Sequence, residues 1–199
     1  VSSLAGRSHQ HKDTASTSFQ SKTDELMARH DEMKIGELQS SHLDATAAIE
    51  QVSNASPWSR SLFEGELGLT SAERLWVVGE IGDTVVGFAG AMFVGDDVHI
   101  MNVAVDPERR RRGLGQTLVA ELLRRSIANG GRHATLEVRE SNEAAIELYR
   151  RFRLGPVGIR SSYYPDGEDA LILWAHDIDS TSYSALLKRL SGRSGVIDE

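Results

Sequence analysis

Apolar positions along the chain follow two rhythms, one alternating and one helical, after a strongly polar start. From 1 to about 32, Ser, Thr, Gln, His and charged residues leave almost no periodic apolar pattern, which reads as a disordered or loosely helical extension. Met33 to Leu38 reads as a first strand. Ser41 to Val52 places Leu43, Ala47, Ala48 and Ile49 on one face of a helix, with Ser40 or Ser41 as its cap. Ser56 and Pro57 punctuate the chain before a second helix that runs to about Leu67. Arg74–Ile81 and Thr84–Val94 are apolar runs joined by Gly82-Asp83, a hairpin signal, and Gly95-Asp96-Asp97 turns the chain into Val98–Val105.

Pro107 ends that third run, because proline has no N–H to give a ladder. From Gly113 onward Leu114, Leu118, Val119, Leu122 and Leu123 recur at helical spacing until Gly130-Gly131 stops them. Ala134–Arg139 alternates, with Leu136 and Val138 on one face and Glu137 and Arg139 on the other. Ser141 is expected to cap a helix carrying Ile146, Tyr149, Arg150 and Phe152. Val157–Arg160 and Ala170–Trp174 read as two further strands. Beyond His176, the spacing of Tyr183, Leu186, Leu187 and Leu190 points to one helix in a tail over 177–199, leaving 33–176 as the domain.

Composition narrows the classes. The 199 residues suit one domain with tails, and no apolar run approaches the eighteen residues of a membrane span. There is no signal-peptide apolar region at the amino end. The absence of cysteine excludes disulfides and thiolate chemistry from this chain and agrees with a cytoplasmic setting. A net charge of −7 argues against general nucleic-acid binding, so the run Arg109–Arg112 is a local feature. An acidic body around one basic loop suits an anionic cofactor. His9 and His11, without further ligands nearby, read as tail residues, and no metal is expected.

That loop carries the first chemistry. A turn opening into a helix exposes unpaired N–H groups at the positive end of the helix dipole, and glycines let a phosphate approach them. No Gly-Lys-Ser/Thr follows, so it is not a Walker loop, and Gly113-Leu114-Gly115-Gln116-Thr117-Leu118 lacks the third glycine of a dinucleotide fingerprint. The string Arg110-x-x-Gly113-x-Gly115 behind Val105-Asp106-Pro107 instead resembles the acetyl-CoA pyrophosphate loop of the GCN5-related N-acetyltransferases (GNAT). The plainer alternative is a strand–turn–helix with a solvated basic turn. A second family motif stands in order as Asn142-Glu-Ala-Ala145-Ile-Glu-Leu148-Tyr149.

The element order β-α-α-β-β-β-α-β-α-β-β also resembles that family. It implies an α/β (α+β) GNAT fold with a mixed central sheet of about seven strands flanked by helices. The resemblance implies that Arg110, Arg111, Arg112, Gly113, Leu114, Gly115 and Gln116 hold the pyrophosphate of acetyl-CoA. Backbone groups of Val103 and Val105, with Asn142, would hold the pantetheine arm, although Asn142 could equally be a helix cap. Glu137 would be the general base, or else a solvated strand residue. Tyr149 would be the general acid, or else a core tyrosine. One departure is clear: the family's usual Leu-Gly-Phe after this helix is Phe152-Arg153-Leu154 here, without the glycine C-cap.

Within the family, Ser56-Pro57-Trp58-Ser59, Leu136-Glu137-Val138-Arg139 and Tyr163-Tyr164-Pro165 with Glu168-Asp169-Ala170 are similar to members that acetylate the N-terminal alanine of a small-subunit ribosomal protein. This implies a protein N-terminus as acceptor and a peptide site drawn from Trp58, Tyr163, Tyr164, Glu168 and Asp169, with packing as the alternative for the aromatic residues. The expected enzyme transfers acetyl directly in a ternary complex, as a monomer or weak dimer, without nucleic acid or membrane. Its rivals are a small-molecule or lysine acetyltransferase and a non-catalytic acyl-CoA-binding module.

Overall fold

Leu75, Trp76, Val77 and Val78 are consecutive and all buried, and they alternate between two separate cores. A strand buried on both faces needs cover on both, which is why its sequence is a continuous apolar run. In the computed structural model, which describes residues 33–70 and 72–191, that strand belongs to one seven-stranded sheet. The strands are β1 (Lys34–Glu37), β2 (Arg74–Ile81), β3 (Thr84–Val94), β4 (Asp97–Val105), β5 (His133–Arg139), β6 (Gly155–Arg160) and β7 (Ala170–Ala175). The helices are α1 (Leu43–Ser53), α2 (Arg60–Leu67), α3 (Leu114–Ala128), α4 (Glu143–Arg151) and α5 (Thr181–Ser191). The expectations for 1–32 and for the end of the chain past 191 lie outside the described residues.

The sheet order is β1-β2-β3-β4-β5-β7-β6, and every neighbouring pair is antiparallel except β4 with β5. This is the mixed seven-stranded sheet expected. Leu118, Val119, Leu122 and Leu123 of α3 fill the larger core with Val77, Ile100, Leu136 and Leu173. Leu43 and Ile49 of α1 and Phe63 of α2 fill the smaller one against Trp76, Val78 and Phe88. The buried stripe of α1 is Leu43, Thr46, Ile49 and Glu50, so Ala48, expected on that face, is exposed instead. Leu43, Thr46, Glu50 and the turns between them keep the helical period better than the alanines do.

Two irregularities position the site. First, the β4–β5 ladder is only three pairs long, Asp97 with His133, Val98 with Ala134 and His99 with Thr135. β4 continues on β3 to Val105, and β5 continues on β7 to Arg139, so the two strands part like a fork. Second, Gly90 faces Asn102 while Ala91 faces Ile100, which leaves Met101 as an extra residue, a β-bulge. The bulge resets the alternation: Ile100 and Val103 join the large core, whereas Met101 and Ala104 join the small one.

The carboxyl-terminal helix completes the large core. Tyr183, Leu186, Leu187 and Leu190 are all buried on one stripe of α5. Its Tyr183 hydroxyl donates to the Phe152 carbonyl at 2.7 Å. That contact sits where the glycine is missing. Arg153 takes the left-handed conformation, φ 59°, and the closing bonds of a Schellman motif form without glycine, from Leu154 N to Tyr149 O at 3.2 Å and from Arg153 N to Arg150 O at 2.9 Å. Left-handed geometry costs a side-chain-bearing residue about 1–2 kcal/mol, and the buried tyrosine bond next to it offsets such a cost. Tyr183→Phe is therefore expected to lower stability by about 1–3 kcal/mol, the cost of a buried carbonyl left unpaired. Thermal unfolding with unchanged secondary structure checks it.

Candidate active site

Gly113 opens α3 at φ 79°, a left-handed turn that only glycine takes without strain. The backbone N–H groups of Leu114, Gly115 and Gln116 follow at the helix's positive end, ahead of the first intrahelical bond, Thr117 N to Gly113 O at 3.1 Å. A Cβ added at Gly115 would lie 3.6 Å from Leu148 and Val105, ordinary contact, so the protein's own packing does not demand glycine there. Arg110 is a brace: its Nε donates to Val105 O at 3.0 Å and its Nη2 to Ser53 Oγ at 2.9 Å, which ties the loop to the ends of β4 and α1. Arg111, at φ 63°, and Arg112 make no hydrogen bond or ion pair among the described residues. The Gln116 side chain turns away from the loop, donating to Leu190 O at 2.8 Å and accepting from Arg151 at 3.2 Å, so only its backbone faces an anion.

From this loop β4 runs back toward the fork. Past His99 its edge on the β5 side has no ladder partner, which leaves Val103 backbone groups accessible there; the Val105 carbonyl is already taken by Arg110. Asn142 is the cap of α4, its Oδ1 accepting from Ala145 N at 3.1 Å. The expected cap, Ser141, gives its own N–H to Glu168 instead, at 2.9 Å. Capping by Asn142 uses the side-chain oxygen and leaves its Nδ2 donors free.

Glu137 stands on β5 just past the last β4–β5 pair. Its side chain is 7% exposed. One oxygen lies 2.7 Å from His99 Nε2 and the other 3.2 Å from Arg160 Nη2. It is therefore a held carboxylate at the base of the fork, and not a solvated strand residue. Tyr149 is buried in the large core, on the same helix as Asn142. Burial pushes its phenol well above the ordinary tyrosine range, with Tyr164 nearby adding to the shift. The hydroxyl makes no hydrogen bond among the described residues.

On the other side of the fork lies a cavity of about 170 Å³, lined by Glu50, Asn54, Trp58, Met101, Asn102 and Tyr164 among others. The bulge at Met101 brings two successive side chains, Met101 and Asn102, to this one cavity. Trp58 is both packing and wall: its ring is 5.5 Å from Phe63 and 5.6 Å from Trp76 while its edge faces the cavity. Glu50, 1% exposed, accepts from Asn54 Nδ2 at 2.6 Å and Trp58 N at 3.1 Å, fixing the α1–α2 connection as the cavity's wall. Sequence reading missed Glu50, Asn54, Met101 and Asn102. Only Glu50 left a signal there, as a charge one heptad after Leu43 on an apolar stripe.

Tyr164, from the turn after β6, lines one side of the cavity. Tyr164 lies under the Arg139 guanidinium, 3.9 Å from its ring centre, whereas Tyr163 is half-exposed beside Arg160. Glu168 and Asp169 do not line the cavity but build the turn. Glu168 meets Arg139 at 2.6 Å and Asp169 accepts from Ser162 N at 2.8 Å. The bond from Ser141, then the Arg139 charge, hold the Glu168 carboxyl down to about 2. It therefore keeps its charge and its grip at any physiological pH. Among the described residues no group of three or more His, Asp or Glu is placed to hold a metal, and no helix is long and apolar enough to cross a membrane.

Comparison with known proteins agrees with this geometry. Residues 41–153 match the model of the acetyltransferase (GNAT) family. A ribosomal protein bS18-alanine N-acetyltransferase of Salmonella typhimurium is 39% identical over 140 residues, 68% of this chain and 92% of its own length. The Escherichia coli K12 protein of the same name is 37% identical over 143 residues, covering 70% and 94%. The crystal structure of the Escherichia coli ribosomal-protein-S18-alanine N-acetyltransferase superposes with a TM-score of 0.67 at 34% identity, over 73% of this chain and 94% of that one.

The glycine loop yields a direct test. Gly115→Val places a branched side chain over the open N–H groups with little clash inside the protein. The variant is expected to stay folded while its affinity for CoA in calorimetry falls by at least about tenfold, as when a backbone–anion contact worth about 1.5–3 kcal/mol is lost.

Proposed function

The chain belongs to the acetyltransferase (GNAT) family, and from that premise we propose that its acceptor is the α-amino group of a protein N-terminus, an alanine of a small-subunit ribosomal protein. The names of relatives at 37–39% identity support this acceptor. The observation that carries the reading is the fork. An unpaired strand edge leads from a glycine-opened helix end to a held carboxylate, with a half-open cavity beside it.

Acetyl-CoA supplies the acyl group as an activated thioester. Its pyrophosphate fits the N–H groups of Leu114, Gly115 and Gln116, with Arg111 and Arg112, unpaired among the described residues, as positive charge beside them. Its pantetheine amides fit the open edge of β4 at Val103, in the manner of an added strand, and the free Nδ2 of Asn142. Trp58 and Tyr164, with Met101 and Asn102, form the wall against which the acceptor's first residue is held. Glu168 and Asp169 serve that wall by holding the Tyr164 turn.

Glu137 takes a proton from the acceptor's ammonium group, directly or through water, and leaves a neutral amine. As the carbon–nitrogen bond forms and the carbon–sulfur bond breaks, Tyr149 Oη gives its proton to the departing sulfur. Its raised affinity for that proton means that it donates only as sulfur charge develops; the second proton, which the nitrogen sheds on becoming an amide, passes through water to the phenolate, and Glu137 releases the first to solvent. A ribosomal protein as acceptor implies that the enzyme works in the cytoplasm.

Steady-state rates with a peptide bearing an N-terminal alanine, set against polyamines and a lysine side-chain peptide, test the acceptor. The alanine peptide is expected to be preferred; preference for a polyamine would move the chain to the small-molecule branch of the family. Tyr149→Phe removes one oxygen and keeps the ring. Turnover is expected to fall on the order of 10²-fold with the melting temperature and CoA affinity unchanged, and an acyl donor with a more acidic thiol should restore part of it. Full activity in the Phe variant would return Tyr149 to the core alone.

A further inference from the structure

His99 occupies the last paired position of β4 before the fork opens, opposite Thr135. From there its side chain crosses to Glu137, two residues further along β5, and brings Nε2 to 2.7 Å of Oε2. At that separation a proton lies between nitrogen and oxygen, and with the imidazole neutral it is an Nε2–H donated to the carboxylate. The imidazole is 26% exposed against 7% for the carboxylate. Solvent therefore reaches the imidazole while Glu137 stays enclosed.

The groups facing this pair are few. Arg160 reaches from β6 to the other carboxylate oxygen at 3.2 Å. Tyr164, from the turn after β6, is close enough to feel the Glu137 charge. Arg139, next on the same face of β5, is engaged by Asp166 and Glu168 at 2.8 and 2.6 Å. With His99 neutral, Glu137 faces one cation. With His99 protonated it is clamped between two, and a carboxylate so compensated is a poorer proton acceptor.

We propose that His99 is the positioning residue of the base: its Nε2–H fixes the Glu137 carboxylate at the mouth of the fork, and its protonation takes that base out of service. The inference rests on the reading of Glu137 as general base. It adds a device that neither family motif contains, since His99 lies upstream of both, and it makes the activity of this chain fall on acidification through an imidazole.

Three variants decide it. His99→Leu removes both donor and titration; His99→Gln keeps an N–H donor that does not titrate; Glu137→Gln removes the base. The expected results with the alanine peptide are a fall of kcat in His99→Leu of roughly tenfold, part of the 10²–10⁴ that a general base supplies, and recovery of most of it in His99→Gln. The KM for acetyl-CoA should not change in either. The acid limb of the pH–rate profile should be shallower in His99→Gln than in the parent, because one titration is gone. Wild-type kcat in His99→Leu, or an acid limb in His99→Gln that matches the parent, overturns the inference. So does a lowered melting temperature as the sole effect, which marks a structural ion pair. If His99→Leu fails to fold, the slope of the His99→Gln limb decides alone. Inactive Glu137→Gln beside normal His99→Leu leaves the base reading standing and removes His99 from it. Active Glu137→Gln removes the base reading, and with it the inference, whatever His99→Leu does.

Discussion

Backbone N–H and C=O groups inside a protein must be paired, and this sheet withholds pairing at one place. Leaving one such group unsatisfied costs about 1–3 kcal/mol, so an interior strand normally keeps both ladders. β4 keeps one along its whole length and gives up the other after His99. The divergence is possible because each strand is secured elsewhere, β4 by β3 and β5 by β7. An edge of this kind, enclosed within a sheet and reachable only through the fork, cannot recruit another sheet as an exposed edge would. It can accept an extended ligand with amides of its own, and the phosphate-accepting helix end stands where such a ligand would start.

The polar groups that the sheet buries are arranged around the same opening. Glu50 is nearly inaccessible and carries no cation among the described residues; its oxygens are satisfied by Asn54 and Trp58, and the result is a stiff wall. Glu137 is satisfied instead by an imidazole, His99, and a guanidinium, Arg160. Two buried carboxylates thus serve different ends because of what donates to them. Neutral donors at Glu50 hold a shape, whereas the imidazole at Glu137 is where the proposed switch would act.

Much of this was legible in the residues. The strand boundaries from Arg74 to Val105 follow from two hairpin signals and continuous apolar runs, and the glycine loop and the Asn142–Tyr149 helix announce themselves because each is a local string with its own chemistry. What could not be read was decided by residues far apart in sequence. The bulge at Met101 depends on how β3 pairs, and no composition at Met101 or Asn102 marks it. Ser141 is a good cap in isolation and loses the role because Glu168, 27 residues on, engages its side chain as well as its N–H. Glu168 and Asp169 read as acidic recognition groups, but Arg139 and Ser162 use them to build a turn. The arginine at 153 broke a pattern, and its compensation lay in Tyr183, on a helix that weak spacing only hinted at.

In the proposed complex the open edge of β4 and the first turn of α3 receive one extended ligand together. Amide hydrogen exchange, resolved by residue and measured with and without saturating CoA, tests it most directly. Slower exchange is predicted on ligand addition at amides of β4 between Met101 and Val105 and, in the same titration, at Leu114, Gly115 and Gln116, with little change along β1 and β2. CoA binding that leaves the β4 amides exchanging as before, or that protects the helix turn without the strand, would contradict it.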